Sequence, residues 1–257
     1  MIDLYFPLRW NIHTMHLFFN QTLQLLRTAS AVGVTDVVLA PDIPYGERTP
    51  SWKTILSYVQ LLQEKANGDG IPIQLYAGAN MALDSSIWEF LHEGNTDYCV
   101  NNGHYVLVSL DTSLVDISRS EMILYEVMLK GFIPIIVHPE RVPFFVKHPK
   151  QVLKLMHRGV LIQCDIDSFM GMRGQRICKT VVAFAKRHMV TCLGSGLSCR
   201  KGNYPEAAQA KKAIADIDST GDVWDACMVY GESVLHDKIF YPFLPAYWEI
   251  QHSALFF

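Results

Sequence analysis

Short apolar runs alternate along the chain with longer stretches whose apolar positions recur at helical spacing. The short runs predict strands at Ile2 to Tyr5, Asp36 to Ala40, Ile73 to Ala77, Tyr105 to Leu110, Ile133 to Val137, Leu161 to Cys164 and Val190 to Leu193. Several are continuous Val, Ile and Leu, the pattern of a parallel sheet covered on both faces. The longer stretches predict helices over Thr14 to Val32, Ser51 to Ala66, Ser118 to Leu129, Pro149 to Arg158 and Gln175 to His188. In the first of them Met15, Phe18, Phe19, Leu23, Leu25, Leu26 and Ala29 form a stripe wide enough to face a core. Asn67-Gly68-Asp69-Gly70 and Gly202-Asn203-Tyr204-Pro205 are loop signals. Strand followed by helix, repeated, predicts an α/β fold with a closed or nearly closed barrel; a doubly wound open sheet is the alternative.

The 257 residues, 50% of them hydrophobic, suffice for one large core, so residues 1–257 are expected to form a single domain. With 22 basic and 25 acidic residues, net charge -3, the chain has no electrostatic footprint for nucleic acid. No apolar run approaches a membrane span, and the opening segment lacks the basic start of a signal peptide, which predicts a cytoplasmic protein without membrane insertion. The six cysteines form no C-x-x-C pair and read as reduced thiols. The tail from 239 to 257 concentrates Phe240, Tyr241, Phe243, Tyr247, Trp248, Phe256 and Phe257, which either pack on the chain's own barrel or meet another subunit or partner.

One stretch carries more information than any other: Gly131-Phe132-Ile133-Pro134-Ile135-Ile136-Val137-His138-Pro139-Glu140-Arg141. It resembles the bacterial PHP (polymerase and histidinol phosphatase) family, specifically the capsular-polysaccharide tyrosine phosphatases, whose strands end in the same His-Pro-Glu-Arg. Met1-Ile2-Asp3, Gly33-Val34-Thr35, Gly78 and Gly171-Met172-Arg173-Gly174 extend the resemblance over most of the chain. It implies a distorted (β/α)7 TIM-like barrel of the PHP type. It also implies a cluster of divalent metals, commonly manganese, at the C-terminal strand ends, and phosphotyrosine hydrolysis on a partner kinase.

The chain departs from that pattern at most ligand positions. Where the family has Asp-x-His-x-His, this sequence has Asp3, Tyr5 and Pro7; the early loop aspartate falls near Thr14; Pro-His becomes Pro41-Asp42. The bridging glutamate becomes Asn80, a further glutamate becomes Ser109, and Ser-Asp-Ala-His reads Ser195-Gly196-Leu197-Ser198. Of the family's ligands only His138 is clearly kept, with Asp42 as a second weak candidate. Without a bridging carboxylate little offsets repulsion between cations, and no bound water is activated at neutral pH. The departures therefore predict a degenerate relative that needs no cofactor and binds a partner, a tyrosine kinase or another polysaccharide-synthesis component, with homo-oligomers as a further expectation. The alternative is a residual manganese-dependent phosphotyrosine phosphatase, or a metal-free hydrolase at the same barrel mouth.

His138 and Arg141, with Asp42, Asn80 and Ser195, make up a vestigial pocket suited to an anion. In the plainer reading, Pro139 fixes a turn and Glu140 pairs with Arg141. His13 and His16, three apart at a helix start, suit either a transition metal or a solvated first turn. Cys164 with His138 resembles a nucleophile and base, but nothing in the sequence orients them. Ser195 and Ser198 lack the nucleophile-elbow pattern.

Overall fold

A computed structural model describes residues 1–8, 15–43, 49–110, 116–196, 204, 207–217 and 222–243. The strands are β1 (Ile2–Leu8), β2 (Asp36–Ile43), β3 (Gln74–Ala77), β4 (Asn80–Ala82), β5 (Tyr105–Ser109), β6 (Ile133–Val137), β7 (Leu161–Asp165) and β8 (Cys192–Gly194). All pair in parallel in the order β1-β2-β4-β5-β6-β7-β8, and β3 also pairs with β2. β3 and β4 run in succession along β2: Leu39 is paired with Ala77, then Asp42 with Asn80. They therefore share one position in the barrel. A Cβ at Gly78, between them, would come 2.8 Å from Val38 Cγ1.

The ring closes through the ends of β1 and β8. Ser195 N–H donates to Asp3 Oδ1 (2.9 Å) and Gly196 N–H to the Tyr5 carbonyl (3.2 Å). The sheet is thus a nearly closed α/β barrel with helices around it, as the alternating pattern predicts. β1 and β7 are buried along their whole length, which explains the loss of polar alternation in these segments.

The helices are α1 (Met15–Ala31), α2 (Trp52–Gly68), α3 (Ile117–Leu129), α4 (Pro143–Lys147), α5 (Pro149–His157), α6 (Ile166–Phe169), α7 (Gln175–Ala185), α8 (Ala207–Ile217) and α9 (Asp222–Leu235). Two start on side-chain caps: Ser51 Oγ accepts from Thr54 N–H (3.2 Å), and Asp116 accepts from Ser118 N–H (3.1 Å) and Arg119 N–H (3.2 Å). The helix predicted to end at His188 stops at Ala185, and the chain turns at His188 with φ +52°. α2 runs on through Gly68, into the predicted loop. α4, α6, α8 and α9 are not in the sequence prediction. The first two are a single turn or little more, and α8 is Ala-rich, burying Ala207, Ala210 and Ile214.

Of the aromatic tail, Phe240 stacks on Tyr230 (centroids 4.8 Å apart) and Tyr105 (6.1 Å), while Tyr241 is 90% exposed and Phe243 66%. Tyr247, Trp248, Phe256 and Phe257 lie outside the described residues, as do His13 and Ser198; nothing is described of the His16 side chain. The described cysteines are free thiols, and no described helix is long and apolar enough to cross a membrane.

Candidate functional site at the barrel mouth

Parallel strands deliver their last residues to one end of a barrel, where barrel enzymes carry their chemistry. Four strands contribute to a connected group of polar side chains there. Tyr5 of β1 donates its hydroxyl proton to Asp42 Oδ1 of β2 at 2.6 Å. Asn80 of β4 donates from Nδ2 to Asp42 Oδ1 (2.8 Å), to Ser109 Oγ of β5 (3.2 Å) and to the Tyr5 hydroxyl (3.3 Å). Asn80 Oδ1 is buried with no hydrogen-bond partner among the described residues. Burial, then the neighbouring Asp42 carboxylate, pushes the Tyr5 hydroxyl well above the ordinary phenol range, so it stays a donor.

Beneath this group, Asp3 of β1 is fully buried. Its Oδ1 accepts from the Tyr5 and Ser195 amides (3.1 and 2.9 Å) and its Oδ2 from the Tyr204 hydroxyl (2.7 Å). Burial raises the Asp3 carboxyl, and these donors partly offset the rise. One carboxyl thus joins the first strand, the turn after the last strand and a segment just before α8.

His138 follows β6 in a left-handed conformation (φ +40°, ψ +48°) and starts the single turn Pro139–Arg141. Its amide donates to the Gln163 carbonyl (2.9 Å), and its ring lies 5.6 Å from the Tyr5 ring. Burial, reinforced by the cationic Arg141 and Arg173, lowers the imidazole to about 3, so it is neutral at ordinary pH. Nδ1 is buried without a partner among the described residues.

Glu140 and Arg141 make no direct ion pair among the described residues, although each charge still favours the other. Glu140 is fully buried and accepts from the Asp165 amide (3.1 Å) and Ser168 Oγ (2.8 Å). Arg141 pairs with the buried Asp165 through Nη2, which also lies 3.4 Å from Asp167 Oδ1. Arg173 Nε donates to Asp167 Oδ2 at 2.6 Å. Two arginines and two aspartates therefore interlock where β6, β7 and the turn after β8 end.

The Cys164–His138 nucleophile and base also fails. Cys164 is completely buried, and burial, with Glu140 beside it, raises its thiol well above the normal range. Burial likewise raises Glu140, to about 7. A carboxyl raised on folding contributes stability below its ordinary value of 4.5, and that contribution is lost as pH rises through the folded value. Glu140→Gln cannot titrate. Its stability relative to the parent should therefore improve as pH rises from about 4.5 to about 7 and level off above; urea unfolding of both proteins across that range checks the slope, and a constant difference contradicts it.

All five residues singled out by sequence lie at this end, but they do not form one group. Asp42 and Asn80 are bonded directly; Arg141 belongs to the arginine–aspartate group; His138 stands between them beside Tyr5; Ser195 is buried behind Asp3. Asp165, Asp167 and Arg173 are not among these five, because the sequence carries no signal that the segments bearing them converge with Arg141.

These side chains do not fit the metal cluster that the resemblance implies. Among the described residues no three His, Cys, Asp or Glu side chains are grouped to hold an ion. Tyr5 and Asn80 turn donors toward the one carboxylate of their group, and the two nearby guanidiniums oppose an added cation.

A family model described as capsular polysaccharide synthesis, CpsB/CapC, matches residues 17–222, and the chain belongs to that family. The putative tyrosine-protein phosphatase CapC of Staphylococcus aureus is 24% identical over 160 residues, 62% of either chain. The tyrosine-protein phosphatase YwqE of Bacillus subtilis is 21% identical over 156 residues, 61% of either chain. The chain thus matches about three-fifths of each relative's length. Among solved structures, that of the metal-dependent tyrosine phosphatases YwqE from Bacillus subtilis and CpsB from Streptococcus pneumoniae superposes with a TM-score of 0.80, at 17% identity, covering 88% of this chain and 91% of that one. This likeness establishes the PHP-type barrel as the shared fold.

Proposed function

We propose that this member of the capsular polysaccharide synthesis family works by binding rather than by hydrolysis, with a tyrosine kinase or another polysaccharide-synthesis protein as its partner. The observation that carries the reading is the bonded group of Tyr5, Asp42, Asn80 and Ser109, in which the Tyr5 hydroxyl and the Asn80 amide nitrogen both donate to Asp42 Oδ1. In this reading the protein acts in the cytoplasm, needs no metal for folding, and presents the barrel mouth or the exposed Tyr241 and Phe243 to a partner or a second copy.

A second reading, metal-dependent hydrolysis of phosphotyrosine, draws its support from the comparisons, because both curated relatives are called tyrosine-protein phosphatases. Their names favour it over the binding reading, whereas the side chains at the mouth favour binding. If it holds, His138 and Asp42 are the residues here that would hold manganese.

Thermal melting with manganese separates the two. A native-state ligand at 100 times its dissociation constant stabilises by about 2.7 kcal/mol, which in a chain of this size raises Tm by roughly 5 °C or more. The binding reading expects millimolar manganese to leave Tm unchanged. A rise of that size, removed by His138→Ala, would favour the phosphatase.

A further inference from the structure

The net charge of -3 conceals an uneven distribution. Between Arg141 and His188 the chain has ten basic residues and two acidic ones, Asp165 and Asp167, while the rest carries 12 basic against 23 acidic. The two aspartates are buried and paired with Arg141 and Arg173, so this stretch brings no negative charge to the surface. It supplies α5 and α7, which lead from β6 to β7 and from β7 to β8 and are therefore neighbours in the helical layer. Lys147, Lys150 and Lys154 along α4 and α5, with Arg176, Lys179 and Lys186 along α7 and its cap, are all exposed. None of the six forms an ion pair among the described residues. Lys150 and Lys154 are four apart and Arg176 and Lys179 three apart, which sets each pair one turn along the solvent side of its helix. Arg158, one turn beyond Lys154, pairs with Glu121 of α3 (2.8 Å).

We propose that this wall of the barrel, away from the mouth's polar groups, is a docking surface for an anionic membrane, on which the chain adsorbs without inserting. Charge complementarity carries the inference: six unpaired cations spread along two adjacent helices, each about 15 Å long, can all meet one flat negative surface together. Five of the six are lysines, point charges on flexible stems that suit the diffuse field of headgroups, whereas the fixed guanidinium fork suits a defined phosphate. A nucleic acid is the lesser fit, because the exposed rings on which bases would stack, Tyr125, Tyr241 and Phe243, lie on α3 and after α9. Met172, 66% exposed in the turn before α7, adds an apolar contact beside the charges. The acidic remainder of the chain turns the opposite way, so an anionic surface orients the molecule as well as attracting it. The inference goes beyond either reading of the mouth and depends on neither.

Co-sedimentation of the full chain with vesicles tests it. At about 0.1 M salt, where the Debye length is about 10 Å, the protein is expected to sediment with vesicles of two parts phosphatidylcholine to one part phosphatidylserine. It should stay in solution with phosphatidylcholine alone. Lys150→Gln, Lys154→Gln and Lys179→Gln together should weaken the partition about a hundredfold, roughly fivefold for each charge removed. All three side chains are exposed, so the variant should keep the parent's far-UV spectrum and Tm. The same change at Arg27, Lys53 and Lys65, on α1 and α2, should leave the partition unaltered. Absence of adsorption by the parent overturns the proposal, and so does adsorption that the α5–α7 variant leaves unchanged. Binding to a DNA duplex that this variant weakens, without adsorption to the vesicles, would make the partner a nucleic acid and overturn it equally.

Discussion

Arg141→Ala is expected to lower stability by about 3–5 kcal/mol, because it leaves the Asp165 carboxylate buried without its cation. Asp167 should suffer less, since Arg173 Nε still holds it at 2.6 Å. Asp165→Asn should therefore rescue much of the loss when combined with Arg141→Ala. It removes the stranded charge and keeps an oxygen for Gln163. Urea unfolding of the two single variants and the double supplies the cycle. A loss below about 1 kcal/mol for Arg141→Ala would mean that the pair behaves like an exposed one.

Asp3→Ala should cost about 3 kcal/mol or more, by another route. It strands the Tyr5 amide, the Ser195 amide and the Tyr204 hydroxyl, each a buried or part-buried donor. These bonds tie β8 back to β1, so hydrogen exchange at the Ser195 and Gly196 amides should accelerate before global unfolding. Asp3→Asn should be much milder. Its carbonyl oxygen can accept both amides, and the Tyr204 hydroxyl can reverse its role toward the amide nitrogen. If Asp3→Ala and Asp3→Asn are equally stable, the carboxyl is not what closes the barrel.

Apolar patterning was enough to read the alternating strands and helices, while it left an open sheet as the alternative to the barrel that forms. The runs beginning at Ile133 and Leu161 announce strands because both faces of a parallel sheet are covered, and all the predicted strands correspond to observed ones. The third predicted strand continues past Gly78 as β4, which the glycine conceals. α8 and α9 escaped because their stripes are built on alanines and scattered large residues, such as Val223, Trp224 and Cys227 in α9. At the mouth, the resemblance picked out Tyr5, Asp42, Asn80, Ser109 and His138, but not how they bond. That Glu140 would turn inward to the Asp165 amide while Arg141 reached Asp165 and Asp167 depends on the left-handed turn at His138. A non-glycine residue in that conformation leaves little local signal in sequence.

The binding reading proposed for the mouth excludes manganese-dependent hydrolysis of phosphotyrosine. Its most direct test is phosphate release from a phosphotyrosine peptide by the full chain at saturating manganese, beside the same protein in chelator and His138→Ala. The account predicts the same background rate in all three. Turnover that requires manganese, stops with chelator and is lost in His138→Ala would contradict it and assign the chain the chemistry named for its relatives.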